Sequence, residues 1–242
     1  MKGLPRGVAA GAVLLTGLLT ALNAAAKIDE PDIDADCRKV GQYAAEGQSA
    51  YQRGDYANAR EIFRDQVAWS EFCRQPESAT VTAYNNIALT YLRQGMWLKA
   101  RAWLLLAPEE EKSRYNLSLM QPQLDALPPP RSPAGEYWQY AGYGAWNTLV
   151  VKPQGDRYAI TYSGLYMGAM ALYYGPNIGE FSTVTAIRDQ RAVYHQPADP
   201  EFGSACDVSM AFSDQDVALT TNGDCGFGHN VRAQGVYWRV TP

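Results

Sequence analysis

Residues 128–133 divide the chain into two parts with different hydrophobic periodicities. The segment "PPPRSP" cannot continue a helix and favours a stiff, extended connector. Before it, apolar residues recur at the three- and four-residue spacing of helices, and after it they alternate as in half-buried strands. The sequence therefore predicts an α+β protein, with helices first, strands second and a boundary near Pro130.

The first 26 residues have the organisation of an export signal. Lys2 and Arg6 supply positive charge, residues 8–22 are apolar, and three alanines at 24–26 form a small-residue cleavage site. The apolar run is shorter than the roughly 20 residues of a spanning helix, so cleavage is favoured over a retained membrane anchor. We predict a periplasmic or secreted protein with a signal peptide (1–26), a helical domain (27–127), a linker (128–134) and a β domain (135–242).

Export changes what the four cysteines imply, because thiols in an oxidising compartment usually pair. Four cysteines allow three connectivities, and the sequence alone does not select one. Two cysteines precede the proline segment and two follow it, which favours Cys37 with Cys73 and Cys206 with Cys225.

The helical part contains an internal repeat with an offset of 41 residues. Each copy has a helical pattern, a turn glycine, an aromatic residue, a small alanine and a large apolar residue, which together predict a helical hairpin. The matched positions are Gly54, Tyr56, Ala59 and Phe63 in the first copy and Gly95, Trp97, Ala100 and Leu104 in the second.

These positions resemble the tetratricopeptide repeat, although the period of 41 exceeds the 34 residues of that family. The resemblance implies stacked hairpins whose surface binds an extended peptide or another protein. With only two copies, the alternative that the helices merely support the β domain stays open.

Strands are predicted at 157–162, 180–187, 205–212, 216–221 and 230–240, and they form a small antiparallel barrel or sandwich. Residues 163–179 are expected to form a short helix or loop. The stretch "CGFGHNVRAQGVYWR" (225–239) is interpreted as a constrained corner, since a phosphate-binding glycine loop needs a helix after it. In that corner, His229 and Arg232 are the polar groups expected to be displayed for function.

Three further residues are candidate binding groups. Tyr137 and Trp138 belong to the aromatic segment "GEYWQYAGYGAW" (135–146), whose rings could receive a sugar or peptide if exposed. Strand alternation would instead bury about half of these rings, and that interpretation is preferred. His195 is the third candidate. Neither His195 nor His229 lies at zinc-ligand spacing from a cysteine pair, so no metal site or cofactor is predicted.

The last quarter of the chain is similar to the small β domains of secreted bacterial lysozyme inhibitors, including the LprI type. The likeness rests on a strand ending in "AVY", a cysteine that opens an apolar strand, and a terminal "CG" followed by a glycine and an aromatic strand. It implies an exported, β-rich, non-enzymatic protein. Lysozyme or another cell-wall hydrolase is the partner that the inhibitor resemblance implies.

Three functions are therefore considered. The leading one is a non-enzymatic interaction protein that binds a protein of the cell envelope. The second is an inhibitor or immunity-type protein against a cell-wall hydrolase. The third is a carbohydrate-active enzyme, which would need two carboxylates in a cleft; those available are Glu136, Glu180, Asp199 and Glu201. The net charge of -4 and the absence of a basic run argue against nucleic-acid binding.

Overall fold

The computed structural model describes residues 30–198, 200 and 204–242. The signal peptide predicted for residues 1–26 lies outside these residues. From Asp32 to Pro242 the chain forms one compact unit. No helix in the described ranges has the length and apolar character needed to cross a bilayer.

In the part of the chain that the structure describes, six helices come first, and they pack mainly as sequential hairpins. Their bounds are α1 (Ile33–Arg38), α2 (Val40–Gln52), α3 (Tyr56–Phe72), α4 (Glu77–Arg93), α5 (Trp97–Leu104) and α6 (Glu111–Asp125). Gly54 turns α2 into α3 and Gly95 turns α4 into α5, both with a positive φ that favours glycine. Both hairpins therefore lie where the repeat predicts them, whereas the tetratricopeptide resemblance itself stays a prediction.

Small residues let the helices of each hairpin approach closely. Ala59 and Ala100 are completely buried in the helical core. Gly47 of α2 lies under the ring of Phe63, and a Cβ atom at this glycine would lie 2.5 Å from that ring. The aromatic repeat positions Tyr56 and Trp97 begin the second helix of each hairpin and are only partly buried.

Among the described residues, eight antiparallel strands form one nearly closed, barrel-shaped sheet. They are β1 (Gly135–Gly142), β2 (Ala145–Gln154), β3 (Arg157–Tyr166), β4 (Asn177–Thr185), β5 (Arg191–Gln196), β6 (Cys206–Phe212), β7 (Asp216–Gly223) and β8 (Gly235–Arg239). Their order is β4-β3-β2-β1-β8-β7-β6-β5, so two four-stranded meanders join through β1 and β8. The edge strands are β4 and β5. Across that seam, Phe181 stacks on Tyr194 at 4.3 Å between ring centroids.

Two parts of the β region differ from the sequence prediction. The last strand covers only Gly235–Arg239, because residues 224–234 form a loop that is anchored to neighbouring strands. Residues 163–179 combine the end of β3, a single-turn helix α7 (Ala171–Tyr174) and the start of β4. Tyr174, in this helix, is 72% exposed.

Side chains fill the barrel, as expected for eight strands. The hydroxyl groups of three inward-facing tyrosines donate to backbone carbonyls: Tyr137 to Pro133, Tyr162 to Arg232 and Tyr237 to Ala233. The guanidinium of Arg239 donates to the carbonyls of Ser132 and Ala134 and to the Tyr137 hydroxyl. The interior is therefore a packed core with its polar atoms largely satisfied.

The helices cover the outer face of β1 and β2. Trp138, Tyr140 and Trp146 share this face. Tyr140 and Trp146 pack with Trp103 of α5, and Trp138 packs with Tyr91 of α4. The Glu71 carboxylate at the end of α3 accepts hydrogen bonds from the Tyr84 hydroxyl (2.5 Å), the Tyr143 amide (2.6 Å) and the Tyr140 hydroxyl. The helical core and the sheet are thus joined by both apolar and charge-assisted contacts.

Stability is expected to fall above about pH 10, because several tyrosines are buried. Burial raises the pKa of Tyr84, Tyr140, Tyr162 and Tyr237 above the ordinary value of 10.0. Above that pH the unfolded chain releases protons that the native state retains, so stability that is complete below pH 10 is lost as pH rises.

Urea denaturation at a series of pH values measures this effect. We expect a flat free energy of unfolding between about pH 7 and 9 and a decline above 10, by up to about 1.4 kcal/mol per pH unit for each such tyrosine. Tyr162→Phe should make the decline shallower. Constant stability through pH 11 would contradict the prediction. All four cysteines are in disulfides, which limits thiol exchange in the alkaline samples.

Candidate functional site

The loop between β7 and β8 forms a polar depression at one end of the barrel. It has a volume of about 360 Å³, and its lining comes from Thr221 and from residues 223–225 and 227–234. We call this surface the barrel-end face. His229, Arg232 and Gln234 are exposed on it. The two basic candidates from the corner stretch are therefore brought together on one concave surface.

The covalent anchor of this face is the Cys206–Cys225 disulfide. Cys206 opens β6, is almost completely buried and pairs in register with Gly223 of β7. The bridge joins the loop to that end of the sheet, with a Cα–Cα distance of 4.9 Å. In the helical part, Cys37 is paired with Cys73. Both pairings agree with the predicted connectivity, and together they indicate an oxidising, extracytoplasmic compartment.

Close contacts with β4 hold the middle of the loop. The Gly228 amide donates to the Ile178 carbonyl at 2.9 Å, and the Asn177 side chain donates to the His229 carbonyl at 2.8 Å. A Cβ atom at Gly228 would lie 2.6 Å from the Ile178 oxygen, so the close approach requires glycine. Phe227 packs on Tyr162 in the barrel core, at 5.6 Å between ring centroids. The corner is therefore structural, and it presents His229 from a fixed backbone.

The other three candidates lie elsewhere. His195 is on β5 at the same end of the barrel, exposed, with its Nδ1 atom 2.6 Å from the Asp207 carboxylate. Tyr137 is inside the barrel and fully buried. Trp138 is 7% exposed beneath the helices, and its indole donates to Glu136. Burial leaves Tyr137 and Trp138 without the free ring face that ligand stacking needs.

The structure describes two of the four carboxylates considered for glycosidic chemistry, and both accept hydrogen bonds from neighbouring side chains. Glu136 accepts from Lys99 at 3.0 Å and from the Trp138 indole at 2.7 Å. Glu180 accepts from the Ser163 hydroxyl at 3.3 Å. Asp199 and Glu201 lie outside the described residues. Within the described ranges, no three His, Cys, Asp or Glu side chains form a group able to hold a metal ion.

The structure also reveals a groove that sequence reasoning missed. Two neighbouring depressions, of about 310 and 270 Å³, share Leu98, Leu127 and Pro242. We call the combined feature the junction groove, because the start of α5, the end of α6, the proline segment and the end of the chain all line it. Arg101 and Arg239 line the smaller of the two depressions, which forms the charged half of the groove. No motif marks Arg101, and only the folded arrangement places it beside the β6–β7 turn.

The fold and these surfaces define an α+β protein with a helical-hairpin part and a disulfide-linked barrel. Comparison with known proteins found no matching family model, no matching curated protein and no matching solved structure.

Proposed function

We propose that this chain is an exported, non-catalytic protein-interaction protein, periplasmic or secreted, which binds a protein partner of the cell envelope through the barrel-end face. The observation that carries the proposal is the exposed pair His229 and Arg232 on a loop held by a disulfide, a core aromatic and backbone hydrogen bonds. A loop that is ordered before binding loses little conformational freedom when a partner docks. Binding residues are commonly displayed in this way, on loops of a rigid scaffold.

The chemistry of the face favours a partner with acidic or hydrogen-bond-accepting groups. Arg232 offers a planar guanidinium that can donate two parallel hydrogen bonds to one carboxylate. His229, Asn230 and Gln234 add polar groups around the same depression. The helical hairpins, through their resemblance to tetratricopeptide repeats, supply a second docking surface in this proposal.

The test is quantitative affinity capture with the oxidised protein from envelope extracts, followed by affinity measurement with the purified partner. His229→Ala/Arg232→Ala is expected to weaken binding by about tenfold or more, because Arg is prominent among residues that dominate interfaces. Arg188→Ala, in the β4–β5 connection, is the control and should bind like the unaltered protein. Equal affinity of the double variant, with its native fold verified by circular dichroism, would place binding away from this face and contradict the proposal.

Inhibition of a cell-wall hydrolase is the second candidate, and the exposed polar loop at His229 favours it. Lysozyme-family and related hydrolases carry catalytic carboxylates, which an inserted basic side chain could engage. Turbidity assays with purified hydrolases and the oxidised protein distinguish the two candidates. Inhibition that is lost in His229→Ala/Arg232→Ala supports the inhibitor function, and binding without inhibition supports the interaction function alone.

A further inference from the structure

One half of the junction groove carries positive charge without an internal counter-ion in contact. Arg101 is partly buried and makes no hydrogen bond or ion pair with the described residues. Arg239 is 3% exposed, and its Nε atom has no hydrogen-bond partner among the residues described. The Arg239 Nε atom is itself buried, so Arg101 is the arginine of this half that a carboxylate supplied from outside can reach and pair with.

The acidic groups around Arg101 leave it available. Asp214 lines the same half of the groove but forms no ion pair with either arginine. Asp216 accepts from the Ser213 hydroxyl at 2.7 Å in the β6–β7 turn. Burial lowers the pKa of Arg101, and the charge of Asp216 acts in the opposite direction. The guanidinium still carries its charge at neutral pH.

The other half of the groove is apolar. Its lining includes Met96, Trp97 and Val240, and Met96 is 40% exposed. Lys99 lines this half too, but its charge is matched by Glu136 at 3.0 Å, and its ammonium lies 4.8 Å from the centre of the Trp138 ring. The groove therefore changes along its length from apolar to cationic.

We propose that the junction groove binds an extended acidic peptide segment of a partner protein, with a glutamate or aspartate carboxylate on Arg101 and apolar side chains along Leu98 and Leu127. The cationic half selects the acid, and the adjoining apolar half accepts the residues beside it. This inference rests on the proposed function for the class of partner, but it uses a surface separate from His229 and Arg232. Each surface can therefore fail its own test independently.

The probes are short capped peptides of leucine with one central glutamate, and matched peptides with glutamine in its place. Binding to the full oxidised protein is followed by NMR chemical-shift changes at Leu98, Arg101 and Leu127. We expect the glutamate peptide to bind about tenfold or more tightly than the glutamine peptide. Its binding should approach saturation at about 1 mM peptide, which corresponds to a weak but measurable affinity. Acetate is titrated in parallel to separate a peptide site from a site for free carboxylate.

Three variants make the test specific. Arg101→Gln should abolish the preference for glutamate, and Asp214→Asn should strengthen glutamate binding because it removes a competing negative charge. Arg114→Gln, on the exposed face of α6, should change neither the preference for glutamate nor the strength of glutamate binding. The proposal is overturned by equal binding of both peptides, by glutamate binding that survives in folded Arg101→Gln, by acetate binding as tight as the peptide, or by no shifts near 1 mM. His229→Ala/Arg232→Ala should leave the peptide result unchanged.

Discussion

Glu71→Ala is expected to lower the free energy of unfolding by about 4 kcal/mol, the largest effect of any single substitution considered. The carboxylate accepts from two hydroxyls and one amide that come from α4 and from the β1–β2 hairpin. Hydrogen bonds to a charged acceptor contribute about 1.5–3 kcal/mol each, although they do not add fully. Alanine would leave three partly buried donors without that acceptor.

Urea denaturation with both fluorescence and circular dichroism measures this loss. Glu61→Ala is the matched control, because Glu61 is on the same helix but is exposed and, among the residues described, forms an ion pair with Arg64 alone. Its effect should stay below about 1 kcal/mol, as for surface ion pairs. Tyr140→Phe removes one of the three donors, and its effect on the free energy of unfolding should lie between those of Glu71→Ala and Glu61→Ala. An effect of Glu71→Ala as small as that of Glu61→Ala would show that this junction does not support the fold.

Cys206→Ala/Cys225→Ala is expected to lower the free energy of unfolding by about 3 kcal/mol. The bridge closes a loop of 19 residues, and a crosslink of this size stabilises mainly by restricting the unfolded chain. Cys206 is buried in the barrel core, so neither cysteine can be released without disturbing β6 and the barrel-end face. The same variant should therefore also weaken binding of any partner at His229 and Arg232.

Cys37→Ala/Cys73→Ala is the comparison. This bridge closes a longer loop of 36 residues, so chain entropy alone predicts a larger fall in the free energy of unfolding than for Cys206→Ala/Cys225→Ala. We expect a smaller loss, because α1 has no buried residues and can separate locally when the bridge is absent. Differential scanning calorimetry of the two double variants shows which of them is destabilised more. The opposite order would mean that α1 stays docked without its disulfide.

Periodicity in the sequence predicted the elements whose pattern is local. The hairpin turns at Gly54 and Gly95 follow from glycine, aromatic and alanine spacing, and the structure places both turns there. The α+β fold class and the barrel alternative are confirmed. The five strands predicted from alternation do not include β1, β2 or β5; β1 was implied only by the preferred interpretation of the aromatic segment, and β5 only by the inhibitor resemblance, through the strand ending in "AVY". In β1 and β2, one face lines the barrel and the other packs under the helices, so apolar residues occur on both sides and the alternation is obscured.

The candidate site was predicted in part. His229 and Arg232 are exposed on one concave face, because the cysteine and glycines around them require a tight corner whatever the partner is. Tyr137 and Trp138 are adjacent in sequence yet serve two different cores, one inside the barrel and one beneath the helices. The partners of Glu71 and the exposure of Arg101 depend on contacts between residues far apart in the chain, which periodicity does not describe.

The sequence by itself determined the order of helices and strands, the hairpin turns and the favoured pairing of cysteines, since each follows from local spacing or from position relative to the proline segment. Only the tertiary structure decided how the outer face of β1 and β2 meets the helices, how β1 joins β8, and which charges are left to line a groove. Those outcomes depend on packing between distant segments. Burial and partner geometry, rather than residue type, determine whether an arginine or a tyrosine supports the fold or is available to a ligand.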